Sequence, residues 1–121
     1  MNARSFFEYV IAQDEDKLQE YFSENAVVRW MCTGEEFTAQ EYIKVNCMYP
    51  NSWDGEIERI VTVDDSVIIA ARVFAKEGTE SFHVVSFIKL RDGLISEMDE
   101  YWAEDGDVPQ WRADLKIGKH L

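Results

Sequence analysis

Asp92-Gly93, set between two apolar runs in TESFHVVSFIKLRDGLISEMDEYWAE (Thr79 to Glu104), constrains this chain more than any other feature. The dipeptide favours a two-residue turn with positive φ at both central positions, so the flanking runs are expected to fold back as a β-hairpin. Such a turn also sets the register. With Arg91 opposite Leu94, Phe87 is expected to face Met98, Val85 to face Glu100 and His83 to face Trp102, all on one side of the sheet. Phe82, Val84, Ser86, Ile88 and Leu90 then look the other way, with Ile95, Glu97, Asp99 and Tyr101. Because a diagonal cross-strand neighbour is within reach of a long side chain, His83 and Glu100 form the main chemical lead.

Two further apolar runs precede the hairpin, IERIVTV bounded by Asp64-Asp65 and SVIIAARVFA bounded by Glu77-Gly78. The pattern predicts an antiparallel meander of four strands from about Glu56 to Trp102. A two-residue turn at Glu77-Gly78 would place Arg72 opposite His83 and add a guanidinium to the face that carries Glu100. Both faces of the meander are largely apolar, with Val67, Ile69, Ala71 and Val73 alternating with Ile68, Ala70 and Phe74. A sheet with one solvated face would alternate more cleanly, so helices are expected over one face and a partner subunit over the other. The face assigned to the partner carries Ile69, Ala71, Val73, Val84 and Ile88, and a homodimer is the expectation.

Upstream, Phe6, Phe7, Val10 and Ile11 recur at helical spacing over residues 3–12. Asp14 is a candidate N-cap for a second helix, with Leu18, Tyr21 and Phe22 as its buried face and Ser23-Glu24-Asn25 as its end. Ala26 to Cys32 reads as a strand, and Thr33-Gly34 turns the chain out of it. Thr38 with Glu41 three residues on makes a capping box for a third helix running to about Met48, which Pro50 stops. The connection NCMYPNSW then brings Asn46, Tyr49 and Trp53 to a helix end, where they either line a pocket or seal the helix on the sheet. The tail from Ala103 reads as a strap without a further element.

A chain of 121 residues suits a single domain, 1–121, able to bury a real core. With 24 acidic against 12 basic residues the net charge is -12, which argues against nucleic acid, since affinity for the phosphate backbone rests on Lys and Arg. No apolar run approaches 18 residues and no signal-like leader is visible, so no membrane partner and a cytoplasmic location are expected. Cys32 and Cys47 lack CxxC spacing and nearby histidines, and are read as reduced thiols rather than zinc ligands or a disulfide.

The order of elements, the DGLISEMDEYW segment, NCMYPNSW and the WAEDG…PQWR tail together resemble the SnoaL-like group within the nuclear transport factor 2-like superfamily, over nearly the whole chain. The resemblance implies an α+β fold in which three N-terminal helices pack in a strongly curved, mainly antiparallel sheet, a cone with a pocket at its open end. The superfamily includes ketosteroid isomerases, limonene-type epoxide hydrolases, dehydratases and polyketide cyclases, alongside non-catalytic members, so the fold alone does not decide an activity. By this resemblance Met98, Glu100 and Trp102 take the inward positions of the last strand. Glu100 falls where the limonene-type hydrolases carry a catalytic acid, whereas the oxyanion acid of the ketosteroid isomerases would fall near Val85.

Glu100, His83 and Arg72 are therefore the candidate catalytic residues, with Trp30, Asn46, Tyr49, Trp53, Val85, Phe87, Met98 and Trp102 as candidate pocket lining. A glutamate walled by apolar groups resists ionisation, which a nearby Arg72 or His83 would oppose, and such tension marks a candidate general acid or base. With one histidine near the site the spacing offers too few ligands for a metal, and no cofactor is called for. The cluster suits a cofactor-free lyase, isomerase or hydrolase acting on a small hydrophobic molecule; a non-catalytic ligand-binding or dimerisation module is the alternative.

Overall fold

A computed structural model describes all 121 residues. The chain runs α1 (Ala3–Ala12), α2 (Glu15–Gln19), β1 (Phe22–Trp30), β2 (Glu35–Thr38), α3 (Ala39–Met48), β3 (Trp53–Val63), β4 (Ser66–Ala75), β5 (Ser81–Arg91), β6 (Leu94–Glu104) and α4 (Gln110–Ala113). The strands form one curved, unclosed sheet in the order β2-β1-β6-β5-β4-β3, antiparallel throughout except where β1 runs parallel to β6. No helix is long and apolar enough to cross a membrane.

Local signals account for the helices. Asn2 caps α1 by accepting from the Ser5 amide, and Asp14 caps α2 by accepting from the Lys17 amide. At α3 the capping box is complete: the Glu41 amide donates to Thr38 Oγ1 at 3.2 Å, and the Thr38 amide to Glu41 Oε1 at 2.9 Å. The Asp92-Gly93 turn has φ of 52° and 79°, the positive values that its residues favour.

Phe22 does not belong to α2, which stops at Gln19. The Ile95 amide donates to Tyr21 O at 2.8 Å and Phe22 pairs with Ile95, so cross-strand pairing draws this segment into β1. Two short elements lie outside the sequence reading. Strand β2 is an edge strand whose mostly exposed residues, Glu35 and Glu36 among them, show no apolar alternation. Helix α4 is a single exposed turn in the tail, where the sequence predicts a strap without a further element.

Helices α1 to α3 cover the concave face. Phe6, Phe7, Leu18, Tyr42 and Ile43 meet Val28, Val67, Ile69, Ala71, Val73, Val84, Ile88, Ile95 and Met98 in one buried cluster. This corrects the assignment of Ile69, Ala71, Val73, Val84 and Ile88 to an outer, partner-covered face; all five are buried inside the cone. Gly55 allows α1 to approach β3 closely, since a Cβ there would lie 2.7 Å from Ile11 Cδ1 and 2.8 Å from Phe7 Cζ.

Register shifts let the sheet bend, and one of them decides the site. On the β5–β6 hairpin Arg91 pairs with Leu94 and Leu90 with Ile95, as the turn requires, but Lys89 then pairs with Glu97. Ser96 is the extra residue of a β-bulge, and its hydroxyl donates to Lys89 O at 3.0 Å. Beyond the bulge β6 has moved by one residue against β5. Ser86 therefore faces Glu100, Val84 faces Trp102, Val85 faces Tyr101 and His83 faces Ala103.

Candidate ligand site

Glu100 reaches the concave side from the middle of β6, with its backbone held on both flanks: Ser86 is its partner on β5, Trp30 its partner on β1, and its carbonyl accepts the Met31 amide at 2.9 Å. The side chain is 4% exposed and has no cationic partner. Its oxygens are held by neutral donors instead. The indole Nε1 of Trp30 and that of Trp102 donate to Oε1 at 3.1 and 3.2 Å, and Ser86 Oγ donates to Oε2. Burial pushes the Glu100 pKa above the usual carboxylate value, and the three donors offset only part of that shift.

The carboxyl group borders a cavity of about 250 Å³ whose walls include Val10, Trp30, Tyr49, Trp53, Val73, Phe82 and Trp102. Its polar neighbours mainly tie the helices together. Gln13 Nε2 donates to Asn46 O and Tyr49 O, both at 2.9 Å, and Asn46 Nδ2 donates to Val10 O at 3.1 Å. These bonds fix the end of α3 to the end of α1 and so hold the rim on which Tyr49 stands. Trp53 is anchored through its Nε1 to Pro50 O at 2.9 Å. Beneath Trp30, the Tyr42 hydroxyl is buried without a hydrogen-bond partner, and burial first, then the charge of Glu100, raises its pKa.

Of the residues expected from sequence, the structure brings Trp30, Asn46, Tyr49, Trp53, Glu100 and Trp102 to the cavity. Met98 is inward and fully buried but lies in the core rather than on the cavity wall. His83, Arg72, Val85 and Phe87 are on the opposite face, because the bulge at Ser96 moves them away from Glu100. Arg72 does pair with His83, but outside the cone, where its guanidinium carbon lies 4.4 Å from the Phe74 ring centroid. His83 Nδ1 is bonded to Asp105 and Nε2 lies 3.3 Å from Glu58. That exposed cluster raises the His83 pKa, mainly through the Asp105 hydrogen bond, and takes no part in the cavity.

Sequence reasoning missed Ser86 and Phe82, which it had placed on the other face. A signal was present: Ile95 and Met98 are both apolar and three residues apart, a spacing that uninterrupted alternation along a strand would send to opposite faces, and the structure buries both fully. Cys32, Thr33, Val10, Gln13, Val73 and Glu104 also line the cavity, and no sequence pattern marked them.

The SnoaL-like domain family matches residues 3–98. The chain belongs to the SnoaL-like family. Its matched segment stops two residues before Glu100, so the carboxyl group and Trp102 lie beyond it. No curated protein gives a significant match. Among solved structures, this SnoaL-like chain is similar to a ketosteroid isomerase-like protein from Kribbella flavida (TM-score 0.81, 22% identity, covering 98% of this chain and 86% of the other). It is similar also to a nuclear transport factor 2-like protein from Burkholderia xenovorans (0.77, 16%, 98% and 91%). A third, an LEH-like epoxide hydrolase from M. tuberculosis, gives 0.69 at 14% identity over 83% and 78% of the two chains. At these identities the likeness establishes the cone-shaped α+β fold.

Proposed function

We propose that the cavity is the working site of a cofactor-free enzyme of lyase, isomerase or hydrolase type, in which Glu100 exchanges a proton with a small hydrophobic molecule. The observation that carries this reading is a buried carboxyl group with a raised pKa, without a cationic partner, on the wall of a mainly apolar cavity. The apolar wall holds the substrate and excludes water, and Glu100 takes or gives the proton. His83 and Arg72 have no part in this chemistry.

The test uses small epoxides for hydration, β,γ-unsaturated ketones for isomerisation and β-hydroxy ketones for elimination. Glu100→Gln keeps the volume and removes the titrating proton, so it should abolish turnover of any substrate found while affinity for an uncharged ligand changes little. Turnover at the wild-type rate in Glu100→Gln would sink the assignment. A second reading, a binding module without turnover, is favoured by the engagement of both Glu100 oxygens with fixed donors. Binding without conversion across the three substrate classes would select it.

We propose further that a second copy of the chain covers the outer sheet face. There Phe87 and Tyr101 are 45% and 46% exposed with their rings 5.9 Å apart, beside half-buried Ile68, Ala70, Phe74 and Val85. Light scattering at micromolar concentration should give twice the chain mass, and Phe87→Glu should return it to the mass of one chain. A wild-type protein with the mass of one chain would remove the dimer.

A further inference from the structure

Five rings around the cavity form a continuous chain. Ring centroids are 6.4 Å apart from Trp30 to Tyr49, 6.5 Å from Tyr49 to Trp53, 6.0 Å from Trp53 to Phe82 and 6.2 Å from Phe82 to Trp102. Successive planes are inclined by 62°, 77°, 54° and 78°, so the rings turn as walls do instead of stacking flat. Glu100 closes the circuit, since Trp30 and Trp102 at its two ends both donate to Oε1. All six residues line the cavity, and its other carboxylate is Glu104; no Lys, Arg or His is on the wall.

Aromatic faces carry the negative side of the ring quadrupole and attract a cation placed over them. A metal ion or a primary ammonium would need oxygen or nitrogen ligands to replace its hydration, but the free polar atoms on this wall are few, and nowhere do three or more His, Cys, Asp or Glu side chains gather to hold a metal. An alkylated ammonium, with its charge spread over methyl groups, is weakly hydrated and needs only ring faces and a counter-charge. We propose that the cavity takes a small tertiary or quaternary alkylammonium, held within the ring circuit with Glu100 as its counter-ion. A volume of about 250 Å³ lies below the range of roughly 300–1,000 Å³ typical of drug-sized guests and suits a compact cation. The inference rests on the cavity being a ligand site, and it names the class of ligand.

The test compares choline with 3,3-dimethylbutan-1-ol, its uncharged isostere in which carbon replaces nitrogen. Both are titrated by tryptophan fluorescence and calorimetry into wild type, Glu100→Gln and Phe82→Leu, with Tyr49→Leu at the exposed rim as the ring variant if Phe82→Leu does not fold. Choline should bind wild type at least tenfold more tightly than the alcohol. Each substitution should weaken choline about tenfold, as expected for a desolvated cation–ring or ion contact, and change the alcohol by no more than about threefold. Equal or tighter binding of the alcohol overturns the inference and leaves the small-molecule reading in place. A choline preference unchanged by Glu100→Gln and by the ring variant also overturns it, because the cation would then sit on the acidic surface. If neither probe binds, and the epoxides and ketones also fail to bind, the small-molecule reading falls as well.

Discussion

Glu100 and His83 stand on the same β-hairpin, on opposite faces of the sheet, and their surroundings are opposites. Glu100 is 4% exposed, held by neutral donors, with a pKa raised by burial. His83 has 47% of its side chain exposed, lies between Asp105 and Glu58, and has a pKa raised by partners of opposite charge. Both shifts go upward, yet only the first comes from desolvation. Burial penalises the charged carboxylate, which the proposed chemistry or a bound cation would draw on, whereas the solvated ion cluster only favours the charged form of a histidine. A perturbed pKa therefore points to function only when its cause is known.

The contrast is sharpest in packing. Met98→Ala, at a fully buried inner position, should cost about 2–5 kcal/mol, while Phe87→Ala on the outer face should cost no more than about 1 kcal/mol within one chain. Urea midpoints at several protein concentrations check both. Equal losses would mean that the faces are not distinguished by burial, and a concentration-dependent loss at Phe87 would place it in a subunit contact.

Next in size is Ser86→Ala, which removes a buried donor to Glu100 and should cost about 2 kcal/mol at neutral pH. The loss should shrink in acid, where the carboxyl group is protonated. A loss independent of pH would mean that Ser86 matters only for packing.

Glu100→Gln should differ from wild type in its pH profile. Because the folded pKa is raised, wild type has its full contribution from this group below the unfolded value near 4.5 and loses it as pH rises through the folded pKa. The variant does not titrate there, so its stability relative to wild type should increase across that window. Parallel denaturation curves from acid to neutral pH would show that the Glu100 pKa is not raised.

The smallest effect is expected outside the cone. The His83 pKa is also raised, so its contribution is complete below the ordinary histidine value of 6.5 and fades as pH climbs through the folded value. At this exposure it should amount to no more than about 1 kcal/mol, and His83→Gln should match wild type at alkaline pH. Substrate turnover, where found, should not change. Lost turnover in His83→Gln would mean that the outer face communicates with the cavity.

Legibility followed the range of the interactions. The capping box of Thr38 and Glu41, the Asp14 cap and the Asp92-Gly93 turn depend on residues within a few positions of each other, and all three form where the sequence places them. Glu100 could be set on the inner side of β6 from the turn and the family resemblance together. The partners of Glu100 could not, because their positions depend on counting across Ser96, and a serine in a strand looks like any other polar residue until its hydroxyl is seen on Lys89 O. The same limit hid β2, which exists only through pairing with β1.

For anyone wishing to write new chemistry into this scaffold, the bulge works as a change of address. Positions 82, 84, 86 and 88 on β5 open inward together with 98, 100 and 102 on β6, although simple counting from the turn would deliver the odd-numbered set of β5. A second proton donor installed at Val84 would enter the cone across from Trp102, one pair away from Glu100 on the same face, whereas the same side chain at Val85 would project beside Tyr101 on the outside. Deleting Ser96 would reassign those addresses wholesale. A length change of one residue, far from the cavity and silent in composition, would exchange the list of groups that a ligand can touch.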